Sequence, residues 1–524
     1  MARKSVPLAW AGVALVGVIV VILVVSWQLF DRLGAAQSMV DDLSPAFTVD
    51  RVIGARAGIE MVSAATDTGD AMMHPDGAAA EMPRLIDFIA SRTGSSPDAA
   101  QQLLRNDFPA INGFLTSLPL PEVSAELPKL VHYLSTVLQQ TPAQTDQMLQ
   151  TDYPKIWQVY QNLPKLTAGW DAIPGTEALT RFDGTPVRTM PQLRTYLSQE
   201  VVGPVERQQA NFRPLGARGG VWFLPPLLLV LGAAVIAFGV AMIVKTRNGV
   251  KRNRLRYAWA VVSVIGVIVP GLVLALNLFP RLIGGQALLD DTRPVFALDR
   301  IQGDHAGVEF ISIFVDALGP AVLPDGGVTQ EYPALLEHVA QHVGIPLQDV
   351  RGLVHLNFPH AARLLDGVPF SASTADATTL INVLASTSHV TSERVLQDMK
   401  AQLPQTYQLI TSLKTVTDGW TEVPGTENLT HFDGTPSRSV PLIRDYFRND
   451  VIPGLERQQP HFVIVDTNWP QLIIFAPLLC ALGAAVFVYG FLIRSLTSKL
   501  LRAQGEPPSP LTPTSSPPIP ADVS

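Results

Sequence analysis

One stretch of this chain occurs twice. Residues 169–212 return as residues 419–462, sharing Gly-Trp, Pro-Gly-Thr-Glu, Phe-Asp-Gly-Thr-Pro and Glu-Arg-Gln-Gln, and more than half of the aligned positions are identical. An ungapped match of this length indicates a tandem duplication. We call these stretches the first neck (169–212) and the second neck (419–462), because each ends shortly before a long apolar run.

Four long apolar runs predict membrane-spanning helices. Each run is free of Asp, Glu, Lys and Arg, and each is longer than the roughly 20 residues that a helix needs to cross a bilayer. The runs are 7–30, 221–244, 258–279 and 469–493. The chain therefore consists of a helix, an outer segment and a second helix, repeated once.

Basic residues near the ends of these runs predict their orientation, because Lys and Arg in short flanks stay on the cytoplasmic side. They are Arg3, Lys4, Lys245, Arg247, Lys251, Arg252, Arg254, Arg256, Arg494, Lys499 and Arg502. We expect a multi-pass plasma-membrane protein with both termini in the cytoplasm and both long segments outside. We also expect the first run to be an uncleaved anchor, because its duplicate is internal.

The predicted fold is an all-α membrane protein with four transmembrane helices and two homologous extracytoplasmic helical-bundle domains related by tandem duplication. Its parts are the cytoplasmic N-terminus with the first span (1–30), outer domain 1 (31–220), the second span (221–244), a basic cytoplasmic loop (245–257), the third span (258–279), outer domain 2 (280–468), the fourth span (469–493) and a tail (494–524). The tail is rich in Pro and Ser from Gly505 onward, which predicts disorder.

Short helices are predicted for the outer domains, in two copies of one helical unit per domain. Ser96 and Thr141 each stand before a proline, where a helix N-cap belongs, and Thr141 forms a capping-box pattern with Gln144. The prolines that follow Phe108 and Tyr153 predict that a helix stops or kinks there. Each unit should therefore contain two or three short helices.

The necks are predicted to contain a tight turn at each Asp-Gly pair. An amphipathic helix should follow in each neck, at 191–209 and 441–459, broken by the Gly-Pro or Pro-Gly pair inside it. Both necks also carry a polar set balanced in sign: Glu177, Asp183, Arg188, Arg194, Glu206, Arg207, Glu427, Asp433, Arg438, Arg444, Glu456 and Arg457.

Two interpretations of the neck arginines remain open. Their guanidinium groups could bind an anion or a lipid headgroup, since the planar fork matches phosphate and carboxylate. Alternatively, they pair with the neighbouring carboxylates and brace the neck. The balance of opposite charges at short spacing favours the bracing interpretation.

Two histidines are weak candidates for metal ligands. His338 and His342 have the spacing that places both rings on one helical face. The corresponding positions of the first half hold Phe88 and Arg92, and no further ligands are evident. Surface histidines are the favoured interpretation, and we predict no metal, cofactor or catalytic residue.

Several classes of protein are disfavoured by the sequence. No phosphate-binding loop, dinucleotide fingerprint, nucleophile elbow or kinase signature is present. The formal net charge of -7 disfavours nucleic-acid binding. Cys480, the single cysteine, lies in the last apolar run, so no intrachain disulfide is predicted.

The apolar runs favour helix packing over transport. They contain no ionisable residue besides Cys480, whereas ion and proton pathways usually need such groups in the membrane. Small residues at four-residue spacing predict close packing of the spans with each other or with partner helices. These residues are Ala233, Ala237 and Ala241 in the second run, and Ala481 and Ala485 in the fourth.

In its Ala-, Val- and Gly-rich spans and its doubly tethered outer domains, the chain resembles cell-envelope membrane proteins of high-GC actinobacteria such as mycobacteria. The resemblance implies a plasma-membrane protein and assigns no functional residue. We hypothesise a non-enzymatic protein whose outer domains scaffold or modulate a larger assembly with other membrane proteins. Two alternatives are a binding module for a lipid or other apolar ligand, such as a transport accessory subunit, and a sensor that signals through the Pro-rich tail.

Overall fold

The computed structural model describes residues 2–74, 77–117, 119–215, 221–247, 252–322, 327–367, 370–466 and 471–503. Within these ranges the chain is nearly all helical and has no strand, only one isolated bridge in each neck. The predicted all-α class is therefore confirmed. The tail from Gly505 onward, predicted to be disordered, lies outside the described residues.

Twenty-four α-helices make up the described chain. In order they are α1 (Ala2–Ser26), α2 (Leu29–Leu43), α3 (Val49–Met73), α4 (Met82–Thr93), α5 (Pro97–Asp107), α6 (Pro109–Ser117), α7 (Leu120–Val137), α8 (Pro142–Asp152), α9 (Pro154–Gly169), α10 (Met190–Tyr196), α11 (Gly203–Leu215), α12 (Leu224–Arg247), α13 (Arg252–Ala275), α14 (Leu278–Thr292), α15 (Leu298–Val322), α16 (Val328–Val343), α17 (Leu347–Asn357), α18 (Pro359–Leu365), α19 (Phe370–Thr387), α20 (Ser392–Gln402), α21 (Pro404–Gly419), α22 (Val440–Tyr446), α23 (Ile452–Val465) and α24 (Phe475–Ala503).

Five of the described helical segments are long and apolar enough to cross a membrane. Four correspond to the predicted runs: Pro7–Ser26, Leu224–Arg247, Tyr257–Ala275 and Phe475–Leu496. The fifth, Leu298–Val322, is absent from the sequence prediction because it carries charged residues along its length. Its most apolar window is 67% buried inside the structure, against 33% or less in the other four. We therefore describe this helix, α15, with the helices that cover it and not as a span.

The chain divides into two compact units. Unit 1 comprises Met1–Val40, Asn211–Asp290 and His461–Ser524, and unit 2 comprises Asp41–Ala210 and Asp291–Pro460. The domain boundaries at 31–220 and 280–468 remain predictions. In the structure, however, the two outer segments belong to one compact unit and not to two.

Unit 1 contains the four predicted spans, arranged as two close pairs. Helix α1 packs against α12, α13 packs against α24, and α1 also contacts α24. Glycine makes the close approach possible: a Cβ added to Gly17 would lie 2.6 Å from the carbonyl oxygen of Gly232, and one added to Gly266 would lie 2.4 Å from the backbone nitrogen of Phe487. Because van der Waals packing holds helices together in lipid, such contacts are a main source of their association.

The small residues predicted to pack are not the ones that join the four spans to each other, and their packing against partner helices stays a prediction. Ala233, Ala237, Ala241, Ala481 and Ala485 are all exposed in unit 1. The buried faces carry glycine, at Gly232 and Gly239 in α12 and at Gly483 and Gly490 in α24. The alanines and the glycines both recur at helical intervals, so the spacing alone does not indicate which of the two faces packs.

Unit 2 consists of two halves with the same helix order. We call residues 41–210 the first half and residues 291–460 the second half. Helices α3 to α11 of the first half recur one for one as α15 to α23. The sequence repeat thus has a structural counterpart in every helix of the outer segments.

The predicted helix signals of the first half are confirmed. The hydroxyl of Ser96 accepts a hydrogen bond from the Ala99 amide at 3.3 Å, and Thr141 forms the capping box with Gln144. Helices α5 and α8 end immediately before Phe108 and Tyr153, and the next helices start at the prolines that follow.

The necks differ from the prediction of a helix broken at its Gly-Pro or Pro-Gly pair. In the first neck α10 passes into a π-helical segment, Leu197–Val202, and α11 then starts at Gly203. The second neck has the same arrangement, with a π-helical segment at Phe447–Val451. The wider π turn lies just before each proline, and the helix continues through the Gly-Pro or Pro-Gly pair without a break.

The long first helix of each half packs against the other half. Helix α3 packs against α21, and α15 packs against α9. The two contacts are reciprocal in detail: a Cβ on Gly54 would lie 2.7 Å from the side chain of Leu429, and one on Gly303 would lie 2.7 Å from that of Leu179. Neither half can therefore bury its apolar surface alone.

Helix α13 offers a matched test of the packing in unit 1. We expect Gly266→Leu to lower the free energy of unfolding by about 1–3 kcal/mol, because the new side chain would overlap the α24 backbone. Gly271→Leu, on the same helix with nothing within 4 Å of its added Cβ, should leave stability almost unchanged. Denaturant titration of the full chain in detergent measures both, and equal losses in the two variants would contradict the packing described.

Candidate functional site

The Asp-Gly turns of both necks form as predicted. In the first neck the amide of Arg181 donates to the Thr185 carbonyl at 2.7 Å, and Gly184 adopts a φ of +85°, which only glycine reaches without strain. The second neck has the same turn, with Gly434 at +91°. The Thr185 amide donates to the Asp183 carboxylate at 2.9 Å, which lowers the pKa of Asp183.

Of the six arginines in the predicted set, four have separate partners and share no ligand site. Arg188 donates to the carbonyls of Thr176 and Glu177, and Arg207 lies 4.0 Å from Asp291. Arg194 pairs with Asp67 of α3. At the equivalent position, Arg444 pairs with Asp316 of α15 at 2.6 Å. Arg438 and Arg457 are exposed.

The carboxylates of the predicted set also have separate partners. Glu206 pairs with Arg56 at 3.1 Å, and Glu456 lies 3.4 Å from His305. Glu177 and Glu427 each accept hydrogen bonds from their own amide and from the glycine amide two residues earlier, which lowers the pKa of both carboxyls. These ion pairs join members of the predicted set to residues outside it, so pairing within the set, which the favoured interpretation expects, stays a prediction.

The two candidate metal ligands, His338 and His342, lie exposed on α16. No cluster of three or more His, Cys, Asp or Glu side chains that could hold a metal ion occurs in the described ranges. His355, close by in sequence, instead pairs with Asp366 at 2.7 Å.

Four carboxylates that sequence reasoning did not single out cap helices across the two halves. Glu81 of the first half accepts hydrogen bonds from the amide and hydroxyl of Thr406, at 2.8 and 2.9 Å, at the start of α21. Glu331 of the second half accepts from the amides of Lys155 and Ile156, at 2.8 and 2.9 Å, at the start of α9.

The second reciprocal pair of caps involves shorter helices. Glu126 accepts from the amides of His360 and Ala361, both at 2.9 Å, and Asp376 accepts from the amides of Ala110 and Ile111, at 2.8 and 3.3 Å. The four capped helices each start with unpaired amides and a partial positive charge, both of which a carboxylate satisfies.

A local sequence signal for these caps does exist. Each capped helix begins with proline and follows an aromatic or leucine residue that has no side-chain acceptor: Phe108, Tyr153, Phe358 and Leu403. A helix start without its own N-cap residue must find an acceptor elsewhere. The sequence therefore indicates that a cap is missing locally, but it does not indicate which residue supplies it.

An arginine near the start of α3 and of α15 holds the turn of the opposite neck. Arg51 donates to the carbonyls of Thr430 and His431, at 2.9 and 2.6 Å, and lies over the Phe432 ring at 5.2 Å. The equivalent Arg300 of α15 donates to the Arg181 carbonyl at 3.0 Å and lies over Phe182 at 4.7 Å.

One of these two contacts contains a buried acid. Asp304, four residues after Arg300, is 1% exposed, and neither of its oxygens has a hydrogen-bond partner among the described residues. The hydroxyl of Tyr196 and one terminal nitrogen of Arg300 are likewise buried without a partner. Burial, followed by the nearby Asp304, raises the pKa of Tyr196. In the other contact, the position equivalent to Asp304 is Ala55.

Two cavities among the described residues of unit 2 differ greatly in size. A cavity of about 30 Å³ lies among α3, α15 and the helices of the necks, with room for about one water molecule. A second, of about 400 Å³, is lined in part by Met72, Met73, Phe114 and Leu409, with Glu122 among its polar groups. Only the second has the size of a small-molecule site.

Comparison with known proteins identifies no relative of this chain, since no protein-family model, no curated protein and no solved structure matches it.

The reciprocal caps predict a specific loss of stability. We expect Glu81→Ala and Glu331→Ala each to lower the free energy of unfolding by about 1–3 kcal/mol, because each leaves buried or half-buried helix donors without an acceptor. The control is Glu337→Ala on α16, an exposed carboxylate whose loss should cost no more than about 0.5 kcal/mol. Chemical denaturation of the full chain checks the three values. A cost for the control equal to that of Glu81→Ala would contradict the role of the caps.

Proposed function

We propose that this protein is a non-enzymatic membrane scaffold, which holds or modulates a larger membrane assembly through its helical unit 2. In this proposal the four charge-free apolar helices anchor the chain, both termini and the basic loop at 245–257 are cytoplasmic, and unit 2 lies outside. The presence of apolar membrane-length helices supports a bilayer environment. The basic flanks of those helices support the orientation.

The observation that carries the proposal is the reciprocal capping between the halves. Because Glu81, Glu126, Glu331 and Asp376 each close a helix of the opposite half, neither half can move without breaking charged hydrogen bonds. The central cavity has room for about one water molecule, so a large ligand between α3 and α15 would have to separate them. A rigid unit built from both halves suits a part that positions other proteins.

Purification after mild detergent extraction tests the scaffold proposal. We expect the wild-type chain to retain at least one membrane protein in stoichiometric amount, measured by quantitative mass spectrometry. The Glu81→Ala, Glu331→Ala double variant should lose that partner, whereas Glu337→Ala should keep it. A wild-type chain recovered alone as a monomer would overturn the proposal, as would a partner retained equally by all three.

A second candidate function follows from the larger cavity, whose walls suit a small apolar ligand. Methionine side chains adapt to varied apolar shapes, and about 400 Å³ lies within the usual range for ligand sites. A ligand-binding module of this kind would use the first half together with Leu409 of the second.

Native mass spectrometry distinguishes this candidate from a scaffold. If the cavity holds a lipid, the wild-type chain should retain it, and Ala79→Trp, which fills the cavity, should release it. Ala80→Trp is the control, because Ala80 is exposed like Ala79 but does not line the cavity. A wild-type chain without bound lipid, or equal retention by both variants, would exclude the candidate.

A further inference from the structure

The two contacts between the long first helices and the opposite necks are equivalent in position but differ in chemistry. Arg51 and Arg300 make the same kind of contact, with a backbone carbonyl and an aromatic ring of the turn. At the position four residues later, on the same helical face, the first half has Ala55 and the second half has Asp304. Only the contact between α15 and the first neck therefore contains a buried carboxyl group.

The surroundings of Asp304 disfavour its charged form. The group is almost fully buried, and neither oxygen has a hydrogen-bond partner in the described chain. Burial raises the pKa of Asp304 to about 7, although Tyr196 and Arg300 act in the opposite direction. An aspartate in water has a pKa near 3.9, so the group would lose its proton far more readily if it reached solvent.

The charged and titratable groups that face Asp304 come from its own helix and from the first neck. Arg300 precedes it on α15, and Tyr196 faces it from α10. Glu200, next along the first neck, acts on Tyr196 and holds the side chain of Arg181 at 2.9 Å. The first neck is thus both the cover over Asp304 and the partner of Arg300.

We propose that Asp304 is a proton-sensitive element that sets how tightly the first neck is held to α15. When Asp304 carries its proton, the carboxyl is neutral and the neck stays closed over it, with Arg300 bonded to the Arg181 carbonyl. When the proton is released to solvent, the negative charge favours conformations in which water reaches the carboxylate. The charge also attracts the unpartnered nitrogen of Arg300, in competition with the turn.

The direction of the effect follows from proton linkage. The closed conformation has the raised pKa and binds the proton more tightly than an open, hydrated one. Closure is therefore strongest at acidic pH and weakens as pH rises from about 4 to about 7. Closure would then couple the geometry of the first neck to the pH of the compartment that it faces. The proposal stands independently of the scaffold function.

Hydrogen exchange of the full chain in nanodiscs tests the proposal. The readout is the protection of the turn between Thr180 and Pro186, corrected for the intrinsic pH dependence with an unstructured peptide of the same sequence. Protection in the wild type should fall roughly tenfold between pH 6 and pH 8. The fall comes from the one pH unit that lies below the Asp304 pKa of about 7, and one unit corresponds to a factor of about ten. Asp304→Ala, which reproduces the residue of the first half, should make protection independent of pH.

The reverse substitution tests whether a pH dependence can be introduced into the second neck. Ala55→Asp should introduce a pH dependence of the same direction but smaller size into the turn between Thr430 and Pro436, because position 55 is half-buried whereas Asp304 is 1% exposed. The wild-type second neck is the baseline, because it already contains the His431–Asp450 pair. Constant protection of the first turn in the wild type, or pH dependence that persists in Asp304→Ala, would overturn the proposal.

Infrared spectroscopy gives a second measurement that does not depend on how well the alanine variant folds. The wild type should show a protonated carboxyl stretch that disappears as pH rises through about 7. Asp304→Asn should lack that band. A band that is absent from the wild type at pH 5, or that remains in Asp304→Asn, would contradict the assignment.

Discussion

The hydrogen bond from a helix amide of one half to a carboxylate of the other is the interaction on which unit 2 depends. Glu81 and Glu331 make it at the starts of α21 and α9, the same helices against which α3 and α15 pack. Each of these helices begins with a proline and lacks its own cap, so its donors would otherwise be unpaired. Capping and apolar packing therefore act on the same helices, and both favour contacts between the halves over contacts within one half.

These contacts between the halves explain why α15 is as apolar as a membrane helix. A helix that packs on several sides against others needs apolar residues around most of its circumference. Two of its carboxylates pair with arginines of the second neck, Asp316 with Arg444 and Glu309 with Arg448. The spans of unit 1 differ because their outer faces are apolar and exposed while glycine occupies their contacts, at Gly17 and Gly266 for example.

At equivalent positions the two halves make contacts of the same geometry with different side chains. The turn of the first neck is tied by Arg181 to Glu200, and that of the second by His431 to Asp450 at 2.7 Å. A guanidinium is charged at every physiological pH, whereas histidine is charged only when protonated. Together with the Ala55 and Asp304 pair, these differences place different ionisable groups at equivalent positions of the two halves.

The sequence by itself determined the helical class, the apolar membrane-length runs, the Asp-Gly turns and the caps at Ser96 and Thr141, because each depends on residues close together in the chain. It did not indicate the partners of the neck arginines, since Arg194 pairs with Asp67 and Arg444 with Asp316, both far away in the chain. Only the tertiary structure decided which half supplies Glu81 to Thr406, which face of α12 packs, and that Asp304 is buried beneath the first neck. These three depend on contacts between residues far apart in the chain, and in a duplicated sequence each half could in principle have paired with itself.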